Sequence, residues 1–103
     1  MNQAYVLSTL AETDLRDIVR YSRKQWGDKR TRTYAKQLEH GADKLARGEG
    51  HYRDMSAVYP ELRVAHVGHH YVFCLPRADA PALVVAVLHE RMDIITRLKA
   101  RLG

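Results

Sequence analysis

The sequence has little cysteine, no long apolar run and no internal repeat, and each scarcity excludes a class of protein. Its single cysteine, Cys74, cannot form an internal disulfide and favours a reducing compartment. The longest apolar run, Ala82 to Leu88, has the length of a strand and is too short to cross a bilayer. The first residues lack a basic region followed by an apolar one, so no signal peptide is predicted. We therefore expect a soluble, cytoplasmic protein without a membrane segment.

Composition and charge set the size of the fold and suggest a kind of partner. The chain has 103 residues, of which 46% are hydrophobic and 28% charged. That is enough for one core and too short for two, so a single domain is predicted over residues 1–103. The formal net charge is +5. A basic balance suggests an anionic partner, either nucleic acid or an acidic protein segment, although it can equally serve solubility alone.

Hydrophobic periodicity predicts two helices near the N-terminus. Ser8 or Thr9 is the expected cap of the first, with Glu12 three residues after Thr9. Its apolar face is expected to carry Ala11, Leu15, Ile18, Val19, Ser22 and Trp26, and its opposite face Asp14, Arg16, Asp17, Arg20 and Lys24.

The second helix is predicted from about Lys29 to Ala46, capped by Asp28 and stopped by Gly48 and Gly50. Its apolar stripe is expected to consist of Thr31, Tyr34, Ala35, Leu38, Ala42 and Leu45. A short connection makes the two helices an antiparallel hairpin.

Four strands and a terminal helix complete the predicted α+β fold. A short strand, Ala4 to Leu7, comes first; Glu61 to Val67 and His70 to Leu75 form a hairpin through a type II′ turn at Gly68-His69. Ala82 to Leu88 is apolar on both faces, which is typical of an interior strand. A helix from Asp93 ends the chain, with Ile94, Ile95, Leu98 and Leu102 on one side. The predicted architecture is an N-terminal strand, an antiparallel helix hairpin on a small, mainly antiparallel sheet, and a short C-terminal helix.

The turn also predicts which residues share a face of the sheet, because it pairs Val64 with Phe73. One face is assigned to the core under the helices, and the other is expected to stay uncovered. The residues of the core face are Leu62, Val64, Tyr71, Phe73 and Leu75. Those of the open face are Arg63, Ala65, His70, Val72 and Cys74.

Candidate catalytic and metal-binding groups do not converge in this arrangement. His66 and His70 are expected on opposite faces with His69 in the turn, and no zinc motif is present, so no metal or cofactor is predicted.

Metal-free RNA cleavage needs cations together with a general acid and base. Arg63 and Arg91 are candidate cations, and His70 and His89 are candidate titrating groups. The set is sparse, since no lysine lies between positions 54 and 95 and no tyrosine follows position 71. A binding role is therefore favoured over catalysis, and no catalytic residue is assigned.

Almost the whole chain resembles the ParE branch of the RelE/ParE toxins from bacterial toxin–antitoxin pairs. The most specific piece is Val87-Leu88-His89-Glu90-Arg91-Met92-Asp93. The other matching positions are Tyr5 to Thr9, Ala11, Asp14-Leu15, Ile18, Tyr21, Trp26-Gly27, Tyr34, Leu38, Leu45, Leu62-Arg63 and His70-Tyr71-Val72-Phe73. Cys74 departs from the branch, where an aromatic residue is common.

The resemblance implies a toxin that inhibits DNA gyrase by direct binding, traps it on cleaved DNA and is not an enzyme. It also implies a hetero-oligomer with a ParD-like antitoxin, whose ribbon-helix-helix part alone contacts the operator DNA. The alternative is the RelE activity, ribosome-dependent cleavage of messenger RNA; Arg63 and Arg91 occupy similar places, but the C-terminal tyrosine is missing. A relic that binds antitoxin without toxicity is a further alternative.

The resemblance also directs attention to the residues that would contact the antitoxin or the target. The candidates are Arg63, His70, His89, Arg91, Arg97 and Arg101. The antitoxin tail is expected to cover the groove of the helix hairpin and a sheet edge, with Arg63, Arg91 and Arg97 pairing with its carboxylates.

Overall fold

The predicted strands and helices follow one another in the predicted order along residues 3–103, the part of the chain that the computed structural model describes. A two-residue strand, Arg53–Asp54, was not predicted and pairs with the strand Arg63–Val67. The N-terminal strand, the helix hairpin, the sheet and the terminal helix confirm the α+β fold. The elements are β1 (Tyr5–Leu7), α1 (Thr9–Trp26), α2 (Asp28–Arg47), β2 (Arg53–Asp54), β3 (Arg63–Val67), β4 (His70–Leu75), β5 (Ala82–His89) and α3 (Ile94–Leu102). No helix within residues 3–103 is long and apolar enough to span a membrane.

The five strands form one sheet in the order β1-β5-β4-β3-β2. β1 runs parallel to β5, whereas the other neighbours are antiparallel. The predicted register is confirmed, with Val64 opposite Phe73 and Val67 opposite His70. Gly68 has a φ of 58° while no such value occurs at His69, as a type II′ turn requires. A Cβ atom at Gly68 would lie 2.5 Å from the Tyr34 ring, so the turn needs glycine for its backbone angle and for its space.

The ends of the helices differ in part from the prediction. The Ser8 hydroxyl accepts a hydrogen bond from the Ala11 N–H at 3.1 Å, so Ser8 rather than Thr9 is the cap of α1. The prediction that Asp28 caps α2 is wrong, because Gly27 holds the cap position and no side chain bonds there. The Asp28 carboxylate instead lies 2.9 Å from Nε of Arg23. Gly48 ends α2 in the left-handed conformation, as expected.

The helix hairpin covers the face of the sheet that was predicted to be open, so that prediction is wrong. Ala65, Val72 and Cys74 are buried in one cluster with the stripe of α2. These side chains are small, and they leave room for two helices to lie against the sheet. Alternation along a strand identifies two faces, but both faces here carry apolar residues, and the pattern does not decide which of them the helices cover.

The opposite face carries the bulkier residues and is covered by α3. The cluster consists of Leu62, Val64, Phe73, Val85, Ala86, Leu88 and Leu98, with Ile94 and Leu102 packed beside it. Leu98 is fully buried, as the predicted stripe requires, whereas Ile95 is 42% exposed and does not belong to it. The sheet is therefore sandwiched between the helix hairpin and the short terminal helix.

Candidate functional site

A groove of about 490 Å³ lies between α1 and the end of β5, and we refer to it as the α1–β5 groove. Its apolar lining includes Ile18, Tyr21, Trp26 and Met92, and its polar lining includes Asp14, Asp17, His69, His70, His89, Glu90 and Arg91. Two of its apolar side chains are open to solvent, since Tyr21 is 63% and Met92 41% exposed. Three of the six predicted binding residues, His70, His89 and Arg91, meet in this groove.

His70 forms part of the inner wall of the groove and is only 8% exposed. Its Nδ1 atom lies 2.6 Å from the Tyr34 hydroxyl. That hydroxyl also accepts the His69 N–H at 3.0 Å and lies 3.3 Å from the Val67 carbonyl. All three contacts are satisfied together when Nδ1 of His70 carries its proton and donates it to Tyr34. Burial and the neighbouring His89 and His69 lower the pKa of His70 to about 4, so the ring is neutral at pH 7.

Glu90 binds two histidines at the rim of the groove. Its carboxylate lies 2.9 Å from Nε2 of His66 and 3.2 Å from Nδ1 of His69, two of the three histidines that were not expected to converge on one ion. They meet because the Glu90 N–H donates to the His69 carbonyl and brings the chain beside the turn. These hydrogen bonds, that from His69 foremost, lower the pKa of Glu90. Residues 3–103 contain no group of three side chains arranged to hold a metal ion.

Arg63 lies away from the groove, at the end of α2. Its guanidinium donates to the Leu45 carbonyl at 3.2 Å and stacks 5.2 Å from the centre of the Tyr52 ring. Arg63 pairs with Cys74 across the hairpin, four residues along β4 from His70, which is a separation of about 13 Å along the strands. Arg63 and His70 are therefore not brought together as one reactive pair.

Arg101 forms an ion pair with Asp14, a residue that was predicted on the face of α1 opposite the apolar one. The Arg101 guanidinium contacts both carboxylate oxygens of Asp14, at 2.5 and 2.6 Å, and these hydrogen bonds raise its pKa. The two side chains are only 16% and 13% exposed. The expectation for Asp14 was wrong, and its position three residues after Ala11 and four before Ile18 is the sequence signal for the buried face.

The same pair completes the hydrogen bonding of β5 beyond the end of β1. β1 stops at Leu7, which pairs with Val84. Further along, the Val87 N–H donates to Asp14 at 2.9 Å, and Arg101 donates to the Val85 carbonyl at 3.0 Å. Two side chains thus take the place of a longer neighbouring strand. Arg97, the remaining candidate, is exposed on α3.

Comparison with known proteins shows what the chain resembles. A family model described as the ParE toxin of the type II toxin–antitoxin system parDE matches residues 5–94. Toxin ParE of Escherichia coli is 59% identical over 99 residues, which cover 96% of each chain. Toxin ParE1 of Mycobacterium tuberculosis is 30% identical over 94 residues, 91% of this chain and 96% of that protein. Toxin ParE1 of Caulobacter vibrioides is 30% identical over 89 residues, 86% of this chain and 91% of that protein.

Proposed function

Because the chain belongs to the ParE family of type II toxin–antitoxin systems, we propose that it binds and inhibits DNA gyrase in the cytoplasm. A cognate ParD-like antitoxin neutralises it by binding the toxin directly. The observation that carries a binding role is the α1–β5 groove, where exposed aromatic and thioether side chains stand beside an arginine. Aromatic anchors and arginine are the residues that dominate the energetics of protein interfaces.

The placement of two of the four candidate nuclease groups, Arg63 and His70, supports binding rather than RNA cleavage, whereas His89 and Arg91 both line the α1–β5 groove. Cleavage requires a cation and a titrating group at the same phosphate. Arg63 is bonded to the end of α2, and His70 is buried, neutral at pH 7 and hydrogen-bonded to Tyr34. Neither group faces a shared open surface, because the helix hairpin covers their side of the sheet.

A supercoiling assay with purified gyrase tests the proposed activity. We expect the full chain to block supercoiling and to increase the amount of cleaved DNA, and the antitoxin to reverse both effects. Absence of inhibition at large molar excess, without antitoxin, would contradict the proposal. Primer-extension mapping of cellular messages after induction separates the alternative, since new cuts inside codons would identify a RelE-type ribonuclease.

We also propose that the antitoxin tail occupies the α1–β5 groove and continues along α3. Arg91 lines the groove and Arg97 is exposed on α3, so both can pair with carboxylates of the tail. Arg63 stands apart at the end of α2 and is half-buried.

Charge reversal tests this assignment. Arg91→Glu and Arg97→Glu are each expected to weaken antitoxin binding by about 1 kcal/mol, measured by titration calorimetry, because a pair at the rim of an interface becomes a repulsion. Arg63→Glu is expected to have the smaller effect. Arg53→Glu, at an exposed position of β2 on the edge of the sheet remote from β5, is the matched control and should leave affinity unchanged. Unchanged affinity in all three arginine variants would refute the assignment.

A further inference from the structure

The positive charge of the protein is concentrated at one end of the helix hairpin. Residues 16–36 contain eight basic and two acidic residues, a formal charge of +6, whereas the whole chain carries +5. The remainder of the molecule is therefore slightly acidic. The basic residues of this segment, all of them exposed, are Arg16, Arg20, Arg23, Lys24, Lys29, Arg30, Arg32 and Lys36.

Four of these side chains form a continuous series that we call the basic row: Arg16, Arg20, Arg23 and Arg32. The first three follow at intervals of four and three residues on α1 and border one shallow groove. Arg23 and Arg32 border the next hollow, where the row passes to α2. The part on α1 is about 10 Å long, given the rise of an α-helix.

The acidic residues near the basic row leave most of its charge available. Asp17 lies 3.7 Å from Arg20 and Asp28 lies 2.9 Å from Arg23. The four side chains of these pairs are between 62% and 72% exposed, and exposed pairs are weak and easily exchanged. Within residues 3–103, Arg16 and Arg32 are in no ion pair.

The surroundings of the basic row favour a nucleic acid over an acidic protein segment. An acidic segment that folds on binding needs apolar anchors to offset its loss of conformational entropy. Leu15 and Val19 beside the row are already half-buried between the helices. Tyr21, the exposed aromatic residue of α1, belongs to the α1–β5 groove. A phosphate backbone requires only an array of cations such as this one.

We propose that the basic row binds the phosphate backbone of double-stranded DNA without reading its sequence. The toxin then has a DNA contact of its own, in addition to the contact that the antitoxin makes with the operator. This inference goes beyond the proposed function and does not require that gyrase is the target. With four phosphate contacts, the logarithm of the binding constant falls with the logarithm of salt concentration with a slope of about −3.6. Binding weakens about a hundredfold between about 50 and about 200 mM salt.

Fluorescence anisotropy with a labelled duplex of about 20 base pairs, in the absence of gyrase and antitoxin, tests the proposal. The variant carries Arg16→Gln and Arg20→Gln, two exposed positions where glutamine is a good helix former. Its salt slope should be less steep by about 1.8, so that binding weakens only about tenfold over the same salt range. The matched control carries Arg53→Gln and Lys99→Gln, which remove the same charge outside the row and should keep the slope of the unaltered chain.

Three results would overturn the proposal. The first is no binding of the duplex by the unaltered chain at low salt. The second is an equal loss in the two double variants, which would indicate attraction by net charge alone. The third is binding of a labelled polyglutamate peptide as tight as that of the duplex, which would assign the row to an acidic protein. The experiment contains no gyrase, so its result does not depend on whether the chain inhibits gyrase. Failure of this proposal can therefore be told apart from failure of the proposed function.

Discussion

Tyr34 connects the helix hairpin to the β3–β4 turn through one hydroxyl group. The hydroxyl contacts Nδ1 of His70, the N–H of His69 and the carbonyl of Val67. The ring packs edge-on against Trp26, with centroids 5.8 Å apart. A single side chain of α2 therefore fixes the turn and the inner wall of the α1–β5 groove together.

Replacing Tyr34 by phenylalanine should destabilise the protein by about 1–3 kcal/mol, because the buried His70 nitrogen loses the hydroxyl to which it is hydrogen-bonded. Urea denaturation measures the change. Tyr59→Phe, at an exposed position, is the control and should alter stability far less. Equal effects at both positions would show that the hydroxyl network does not stabilise the turn.

The lowered pKa of His70 makes stability depend on pH in a definite direction. The pKa is about 4 in the folded chain against 6.5 for an ordinary histidine, so between these values the unfolded chain binds more protons. The free energy of unfolding should therefore fall as the pH is lowered from 7 towards 4. The lowered pKa of Glu90 adds a further loss below pH 4.5.

His70→Gln should make the urea midpoint less dependent on pH between 7 and 5. The substitution removes the titrating ring, and glutamine can still bond to the Tyr34 hydroxyl. His51→Gln, at an exposed position, should retain the full dependence. The explanation fails if the two variants show the same pH profile.

At the scale of elements, α3 and α1 are joined by the ion pair between Asp14 and Arg101. The pair is largely withdrawn from solvent and also bonds to Val85 and Val87 of β5. Removal of one partner would leave the other charge buried without compensation, which is more costly than the loss of an exposed pair.

Asp14→Ala should therefore destabilise the chain by about 3 kcal/mol. Asp43→Ala, which breaks the exposed pair with Arg47, should cost less than about 0.5 kcal/mol. Amide hydrogen exchange provides a second measurement, since the Val87 N–H loses its acceptor only in the Asp14 variant. Normal protection of Val87 in that variant would contradict the assigned hydrogen bond.

The elements were largely predictable from the sequence, while their packing was not. Gly68 identified the turn and hence the register of β3 and β4, because register follows from turn geometry. The two apolar stripes identified the helix hairpin. The helix hairpin covers the face of the sheet that carries the smaller side chains. Both faces are apolar, and the periodicity of the strands and helices does not indicate which face the helices cover.

At the scale of the whole molecule, the α1–β5 groove and the basic row are separate surfaces. The groove is apolar and aromatic with mixed charges, whereas the charged residues that line the two hollows of the row are four arginines and one carboxylate, Asp28, and the groove and the hollows share no lining residue. The antitoxin and the DNA proposed above would therefore contact different residues.

Variants of one surface should leave the other function intact. The Arg16→Gln and Arg20→Gln double variant should bind antitoxin with unchanged affinity, and Arg91→Glu should bind duplex DNA with unchanged salt slope. Calorimetry and anisotropy, respectively, measure the two affinities. A loss of both functions in either variant would place the partners on one shared surface.

The sequence predicted His70, His89 and Arg91 as candidates, and the fold brings them into the groove. Tyr21, Trp26 and Met92 were not predicted as their neighbours. Met92 follows β5 in the sequence, and it comes next to α1 when the strands are arranged in the sheet. The segment around His89 resembles the ParE toxins in its sequence. The contacts between α1 and the end of β5, in contrast, join residues that are far apart in the chain. Such contacts leave little signal in the period of any one segment.

The short β1 strand, with the Asp14–Arg101 pair beyond it, also bears on self-association. A free sheet edge offers backbone donors and acceptors to the edge of another copy and so invites polymerisation. Here a carboxylate occupies the Val87 N–H and a guanidinium the Val85 carbonyl, which leaves those groups unable to template a strand from a second molecule. The part of β5 that extends beyond β1 is therefore closed to pairing with a strand of a second copy.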